Sequence, residues 1–362
     1  MSDKNTIALI FGGRSSEHEV SIMSAKSIYQ ALDKDKYEII PIAITKEGKW
    51  LTPKISRRVL EDGKITTEED QIVLIPDSKG GYLQGIEGNG KLKISIDIVF
   101  PVLHGPFGED GTIQGLLEMS NLAYVGAGVA PSAAGMDKGM MKDIFKSKGL
   151  PQGQYQVIYR YMLEKNLDGV IEQLEDSFNY PCFIKPANLG SSVGVSKVHN
   201  RDEMPGALKK AAEHDRKIIV EEFINARELE VSVLGNDHIK ASVAGEIIPD
   251  REFYDYDSKY KSNDSKLLIP APLDGERMIE IRSLALQAYR AIDCQGFARI
   301  DFFIDRDTDQ ILINEINTIP GFTRISMYPK LWEASGLPYP ELVERLIQLS
   351  IERYKDMKKN KF

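Results

Sequence analysis

Within its first 45 residues the chain sets an apolar run at 6–11, an amphipathic stretch at 20–32 and a second apolar run at 37–44. Two strand-length runs joined by a helix-length segment predict a βαβ unit, because parallel neighbours need a crossover of a dozen or more residues. That unit commits the first third to an open, mainly parallel α/β sheet covered by helices. A polar insert rich in lysine and glycine, with the turn signal Gly88-Asn89-Gly90, interrupts the pattern. The pattern resumes with a strand at 96–101, a glycine-rich loop, a helix at 112–119 and a short strand at 123–126.

Beyond residue 130 the grammar changes. A helix is expected over 136–148, stopped by Gly149-Leu150-Pro151, where the glycine caps and the proline cannot continue it. Strands at 181–186 and 195–198 flank a glycine- and serine-rich turn and read as a hairpin, with a helix at 202–214 and a strand at 217–223 behind it. Strands at 228–235 and 239–245 precede a long polar loop that begins at 249; loops of that length are uncommon unless functional. An amphipathic helix follows, with Met278, Ile281, Leu284, Ala285, Ala288 and Ile292 on one stripe. Strands at 296–304 and 310–317 and a helix at 340–354 close the chain.

A length of 362 residues exceeds what one core usually supports, so two or three domains of roughly 100 to 150 residues are expected. Forty-six basic against 54 acidic residues give a net charge of −8, which disfavours nucleic acid and anionic membranes as partners and requires a local basic patch for any anionic substrate. The two cysteines, Cys182 and Cys294, have no metal-ligand spacing and read as buried, reduced thiols. The run 7–11 is too short for a signal-peptide core, and nothing approaches the ~18 apolar residues of a membrane helix. A soluble, cytoplasmic protein with access to ATP is the expectation.

Chemistry concentrates in a few places. Arg299-Ile300-Asp301 and Asn314-Glu315-Ile316-Asn317 stand on two strands joined by a short turn, and alternation puts Arg299 with Asp301, and Glu315 with Asn317, on one face each. If the faces coincide, hard oxygen donors suited to Mg²⁺ converge beside an arginine; a salt-bridged solvent face would carry the same residues. Lys185-Pro186 before Gly190-Ser191-Ser192-Val193-Gly194 can cradle phosphate, although taken alone the turn is better explained as an ordinary flexible hairpin and no GKS or GKT makes it a Walker motif. Gly12-Gly13 lacks the GxGxxG pattern of a dinucleotide fingerprint. His104, in the loop 104–111, either contacts substrate or bonds its own turn, and Glu17 either binds a ligand or caps a helix.

In order and content these motifs resemble the D-alanine:D-alanine ligases of the ATP-grasp superfamily. The resemblance runs from Gly12-Gly13 and Ser15 to Ser21 through the loop 104–111, Met136-Asp137-Lys138, Lys185-Pro186, the turn 190–194, Phe253-Tyr254-Asp255-Tyr256, Lys259-Tyr260, Arg299-Ile300-Asp301 and 314–321; the stretch 50–93 carries no such motif. It implies an N-terminal open parallel α/β domain (1–130) followed by the two α+β subdomains of an ATP-grasp fold (131–225 and 226–362), with a lid at 249–268.

It also implies ATP-dependent joining of two D-alanines through a D-alanyl phosphate. Lys138, Phe183, Lys185, Ser191, Glu221, Glu222, Phe223, Ile224, Glu228, Phe253, Lys259, Phe303 and Asn314 would surround ATP. Asp301, Glu315 and Asn317 would hold two Mg²⁺, which Mn²⁺ can replace, with room for a monovalent cation. Glu17 and His104 would meet the first D-alanine; Lys259, Ser326 and Met327 the second; Arg299 and the Gly321 N–H the tetrahedral oxyanion. A triad of Glu17, Ser191 and Tyr260 would close the lid, and a homodimer is implied. Rival readings are a ligase of the same fold with a D-lactate or D-serine acceptor, of which Tyr260 argues against D-lactate; another ATP-grasp ligase or carboxylase; and a nucleotide-binding regulator without catalysis.

Overall fold

The computed structural model describes residues 4–65, 70–86, 90–190, 193–248 and 266–361. The expected βαβ unit is present as β1 (Asn5–Gly12), α1 (His18–Ala31) and β2 (Tyr37–Ile44), with Ile7 opposite Ile39 in parallel register. After α2 (Pro53–Asp62), strands β3 (Ile72–Ile75), β4 (Tyr82–Gly85) and β5 (Lys93–Ser95) form a small antiparallel sheet in the stretch that carries no motif. β6 (Ile98–Val102), α3 (Thr112–Met119) and β7 (Ala123–Tyr124) complete a parallel sheet of order β2-β1-β6-β7. β1 is a continuous apolar run because both its faces are buried. Ala8 and Ile10 pack with Leu74, Leu83 and Leu117; Ile7, Leu9 and Phe11 pack with Ile22, Ala25 and residues near the C-terminus such as Leu346.

The single helix expected over 136–148 is two, α4 (Val129–Met136) and α5 (Lys138–Ser147). Asp137 between them is extended and caps α5 by accepting from Met140 N at 3.1 Å, while Lys217 holds its other oxygen at 2.5 Å. An aspartate that can satisfy an orphan N–H starts a new helix more readily than it continues an old one, and here it places Lys138 at the first position of α5.

The second sheet joins β8 (Tyr155–Tyr159), β9 (Cys182–Pro186), β10 (Ser196–Val198) and β11 (Lys217–Glu222) in the order β10-β9-β11-β8. The expected hairpin is its edge, with Ser196 opposite Ile184. Alternation buries Cys182, Ile184, Ile218 and Val220 against α6 (Arg160–Glu175) and α7 (Met204–His214), leaving Phe183, Lys185 and Glu221 on the opposite face.

The third sheet is antiparallel, of order β14-β13-β12-β15-β16: β12 (Ala226–Leu234), β13 (Lys240–Ile248), β14 (Lys266–Leu268), β15 (Phe297–Asp305) and β16 (Ile311–Asn317). The end of the expected lid is therefore a strand, with Leu267 opposite Ile247. One sheet face packs Val231, Ile300 and Phe302 on Ile281, Ala285 and Ala288 of α8 (Gly275–Ala291), the stripe read from the sequence. A short helix, α9 (Met327–Ala334), follows; the final helix, α10 (Tyr339–Met357), packs Leu342, Val343 and Leu346 against the N-terminal parallel sheet. There Arg353 lies 4.1 Å from the Tyr124 ring centroid and donates to the Tyr124 carbonyl at 3.0 Å. The first and last parts of the chain thus share one core. Both cysteines are buried and free.

Candidate active site

The two faces raised as a possibility by the sequence coincide. Arg299 lies opposite Asn317, and Asp301 opposite Glu315, so all four side chains rise from one surface of the third sheet. β12 adds Glu230 opposite Asp301 and Glu228 opposite Phe303 on the same surface. Arg299 forks onto Asp301, with Nε to Oδ1 at 2.6 Å and Nη2 to Oδ2 at 2.7 Å, and Nε also lies 3.0 Å from Glu230 Oε2. Asn317 Nδ2 donates to Asp301 Oδ2 at 3.0 Å. Only 18% of the Arg299 side chain and 15% of the Asp301 side chain is exposed, which rejects the solvent-face alternative. Burial works against the guanidinium charge, but Asp301 and Glu230 more than offset it and raise the Arg299 pKa well above its ordinary value.

The pairing jumps from Asp301–Glu315 to Phe302–Ile313, which leaves Asn314 as the extra residue of a β-bulge. Asn314 and Glu315 consequently both line a cleft of about 880 Å³, together with Lys138, Glu228, Phe303, Asn317 and Gly321. Lys138 Nζ reaches Glu315 at 3.5 Å and donates to the Leu189 carbonyl at 2.9 Å.

The opposite wall comes from the C-terminal ends of β1 and β6, where open α/β sheets bind ligands. Glu17 opens α1 without capping it through its side chain. Its carboxylate instead lies against backbone from two other elements: a Cβ at Gly105 or Gly190 would stand 3.0 or 3.2 Å from Oε2. Glycine is what lets both chains approach that charge. His104 is buried with both nitrogens engaged, Nδ1 on the Ile319 carbonyl at 2.9 Å and Nε2 on Ser24 Oγ at 3.2 Å. Burial lowers its pKa, with partial opposition from Glu17. His104 lines the cleft together with Glu17, and its ring ties the loop 104–111 to the strand end beyond β16. Glu109 accepts from Gly105 N at 2.9 Å, and burial plus the Glu17 charge push its carboxyl up to about 8.

Across the cleft, the second sheet presents a different cluster. Glu221 sits between two ammonium groups, Lys185 at 2.5 Å and Lys142 at 3.1 Å. Burial alone would raise its pKa, but those cations bring it down to about 2. Lys185 also feels Glu315 and Glu228, so the two clusters face each other. Phe183 and Phe223 pack at 6.2 Å, Glu222 accepts from Gln154 N at 2.7 Å, and Ile224 meets Gly153. Neither these four side chains nor Lys185 and Glu221 belong to the lining of the cleft.

At its far end, Gly321 abuts Ser326: a Cβ there would lie 3.2 Å from Oγ. Ser326 N-caps α9, while its hydroxyl turns back to Thr323 Oγ1 at 2.8 Å. The Met327 side chain is buried with Ile247 and Leu331, which leaves only its backbone N–H, at a helix N-terminus, to meet an anion. Ser191, Phe253, Lys259 and Tyr260 lie outside the described residues.

Sequence reasoning missed Glu230, Glu109, Lys142 and Ser24. The alternation Glu228-Leu229-Glu230-Val231-Ser232 could have revealed Glu230; nothing local marks Lys142, which needs the second sheet beside it. Among the described residues no three His, Cys, Asp or Glu side chains converge as a metal cluster. Two carboxylates and one amide nonetheless fit Mg²⁺, which takes few protein ligands and completes its shell from water and phosphate.

The family model for the D-ala D-ala ligase N-terminus matches residues 6–127, and that for the D-ala D-ala ligase C-terminus matches residues 144–348. A D-alanine–D-alanine ligase of Thermoanaerobacter sp. (strain X514) is 52% identical over 98% of both chains. That of Halothermothrix orenii is 50% identical over 96% of this chain and 99% of its own. Among solved structures, the D-alanine–D-alanine ligase from Coxiella burnetii superposes with a TM-score of 0.85 at 37% identity, covering 99% of this chain and 97% of that one. The VanG D-Ala:D-Ser ligase from Enterococcus faecalis also gives 0.85, at 35% identity, covering 96% and 100%.

Proposed function

The chain belongs to the D-alanine–D-alanine ligase family, and from that premise we propose which of its residues carry the reaction. It is an ATP-dependent ligase of ATP-grasp fold that uses a divalent metal and joins two D-alanines to D-alanyl-D-alanine for peptidoglycan synthesis. The observation that carries the assignment is the single sheet surface on which Arg299, Asp301, Glu315 and Asn317 meet, opposite Glu17.

ATP lies between the second and third sheets, with Lys138 and Lys185 toward its phosphates, Phe183, Glu221 to Ile224, Phe303 and Asn314 around the nucleotide and Glu228 at the ribose. Ser191, Phe253 and Lys259 complete that surround. Asp301, Glu315 and Asn317 would hold two Mg²⁺ ions, replaceable by Mn²⁺, which when bound would neutralise charge on the phosphates. Glu17 anchors the ammonium of the first D-alanine, so that its carboxylate oxygen attacks the γ-phosphorus and ADP leaves. The second D-alanine, its carboxylate on Ser326, the Met327 N–H and Lys259, attacks the acyl phosphate carbonyl through its amine. Arg299 and the Gly321 N–H stabilise the oxyanion, and collapse expels phosphate, which carries off the proton lost from the attacking amine. The lid at 249–268, locked by Tyr260 to Ser191 and Glu17, keeps water from the acyl phosphate.

The segmentation 1–130, 131–225 and 226–362 belongs to the same proposal, as do a homodimer, a cytosolic location and stimulation by a monovalent cation. No helix among the described residues is long and apolar enough to cross a membrane.

The test is phosphate release from Mg-ATP with D-alanine, L-alanine, or D-alanine mixed with D-lactate or D-serine, with products weighed by mass spectrometry. D-alanine-dependent release with D-alanyl-D-alanine as the main product supports the reading. A mixed product moves the acceptor, and release indifferent to D-amino acids overturns it.

A further inference from the structure

The segment after β16 carries Gly321 into the cleft, yet much of what holds it belongs to the N-terminal sheet. The Ile319 carbonyl accepts from His104 Nδ1 at 2.9 Å, and the Ile319 N–H donates to Glu109. Three residues on, the Phe322 N–H donates to Ser24 Oγ at 3.3 Å, and the Phe322 carbonyl accepts from the Tyr339 hydroxyl at 2.7 Å. Ser24 lies on α1, fully buried, and its hydroxyl donates in turn to His104 Nε2 at 3.2 Å. The ring's tautomer follows: a carbonyl demands N–H at Nδ1, which leaves Nε2 as the acceptor for Ser24.

A closed loop of hydrogen bonds results, from Ile319 through His104 and Ser24 to Phe322, spanning Pro320 and Gly321. We infer that Ser24 is a positioning residue for acyl transfer: directly, and through His104, it holds residues 319–322 so that the Gly321 N–H points at the developing oxyanion. The N-terminal sheet thereby sets the geometry of a catalytic group on the C-terminal one. This rests on the reading of Gly321 as an oxyanion donor and adds to it the residue that aims the donor. A donor worth having only in the transition state is sensitive to small displacements, and loosening it slows the second chemical step more than the first.

The experiment compares Ser24→Ala, Ser24→Thr and Tyr339→Phe. Acyl phosphate formation is read by positional isotope exchange in ¹⁸O-labelled ATP, and the complete reaction by dipeptide kcat and the KM values for ATP and both D-alanines. Ser24→Ala is expected to lower dipeptide kcat about 10- to 100-fold while isotope exchange and KM for ATP stay within about twofold. Ser24→Thr, which keeps the hydroxyl, is expected to recover most of the loss. Unchanged kcat in Ser24→Ala, or kcat and exchange falling together with Tm, overturns the inference. If Ser24→Ala is silent but Tyr339→Phe selectively slows the dipeptide step, the role of Ser24 fails and that of Gly321 stands. If neither variant separates the two steps, the oxyanion reading itself fails.

Discussion

Two buried charge clusters face each other across the cleft, built from the same kinds of side chain in opposite proportion. At the second sheet two ammonium groups, Lys185 on β9 and Lys142 on the adjoining helix α5, hold one carboxylate, Glu221 on β11. On the third, one guanidinium, Arg299, stands among three carboxylates, Glu230, Asp301 and Glu315. The first surplus is positive and suits phosphate; the second is negative and suits a divalent cation. Lys138, 3.5 Å from Glu315, stands at the junction. Neither cluster is neutral by itself, so each gains from a ligand of the other's sign. ATP with its metal is such a ligand pair, and the division of charge predicts which side each part prefers.

The largest effect should come from the third sheet. Asp301→Asn replaces the carboxylate that orients Arg299, and that is proposed to bind metal, with a neutral amide, and kcat is expected to fall about 100- to 1000-fold, the range for losing an oxyanion donor. Titrating Mg²⁺ should show half-maximal velocity moved to higher metal concentration with KM for ATP changed little. An equal rise in both would break the division proposed here. Lys142→Met tests the cluster around Glu221. It leaves Glu221 with one cation, and denaturant melts should show a loss of roughly 2 to 3 kcal/mol, less than the full cost of stripping a buried pair because Lys185 stays. Its KM for ATP should rise several-fold while the Mg²⁺ requirement holds.

A smaller, pH-dependent effect follows from Glu221. Its folded pKa, about 2, lies below the ordinary glutamate value of 4.5, so its contribution is present above pH 4.5 and is lost as pH falls from there toward 2. Between pH 5 and 3 the parent should therefore lose stability more steeply than Glu221→Gln; parallel slopes in denaturation at pH 5, 4 and 3 would remove Glu221 from the account. The smallest effect is expected from Tyr260→Phe, which leaves both clusters intact. It should raise acyl phosphate hydrolysis and shift acceptor preference about twofold to tenfold, seen as phosphate released in excess of dipeptide. Unchanged kinetics and an unchanged dipeptide-to-depsipeptide ratio would dismiss the proposed lid triad.

Periodicity carried much of the architecture. The apolar run at 6–11, the stripe from Met278 to Ile292 and the alternation in 299–303 each specify an element and its buried face, because side-chain direction repeats every 2 or 3.6 residues along one segment. The break at Asp137 was less legible, since capping competes with helix continuation over a single residue. Strand β14 was not legible at all: three residues signal a strand only when a neighbour such as Ile247 supplies the hydrogen bonds.

The same boundary separates what was read of the site from what was not. Arg299, Asp301, Glu315 and Asn317 are close in sequence and lie on adjacent strands, so their types and spacing were visible in the chain alone. Whether their faces coincided was not, because register across a pair of strands is settled by bulges and packing, here by the bulge that adds Asn314. The roles of His104 and Ser24 lay further out of reach. Their partners, Ile319 and Phe322, are about 215 and 298 positions away, and a histidine reads as ligand or as scaffold only when the groups at both ring nitrogens are known. The amino-acid sequence by itself determined the strongly periodic elements, the family and the set of chemical groups. Only the tertiary structure decided which groups are already spent on one another and which still face the cleft, because hydrogen bonds and ion pairs between distant segments leave no periodic trace in the chain.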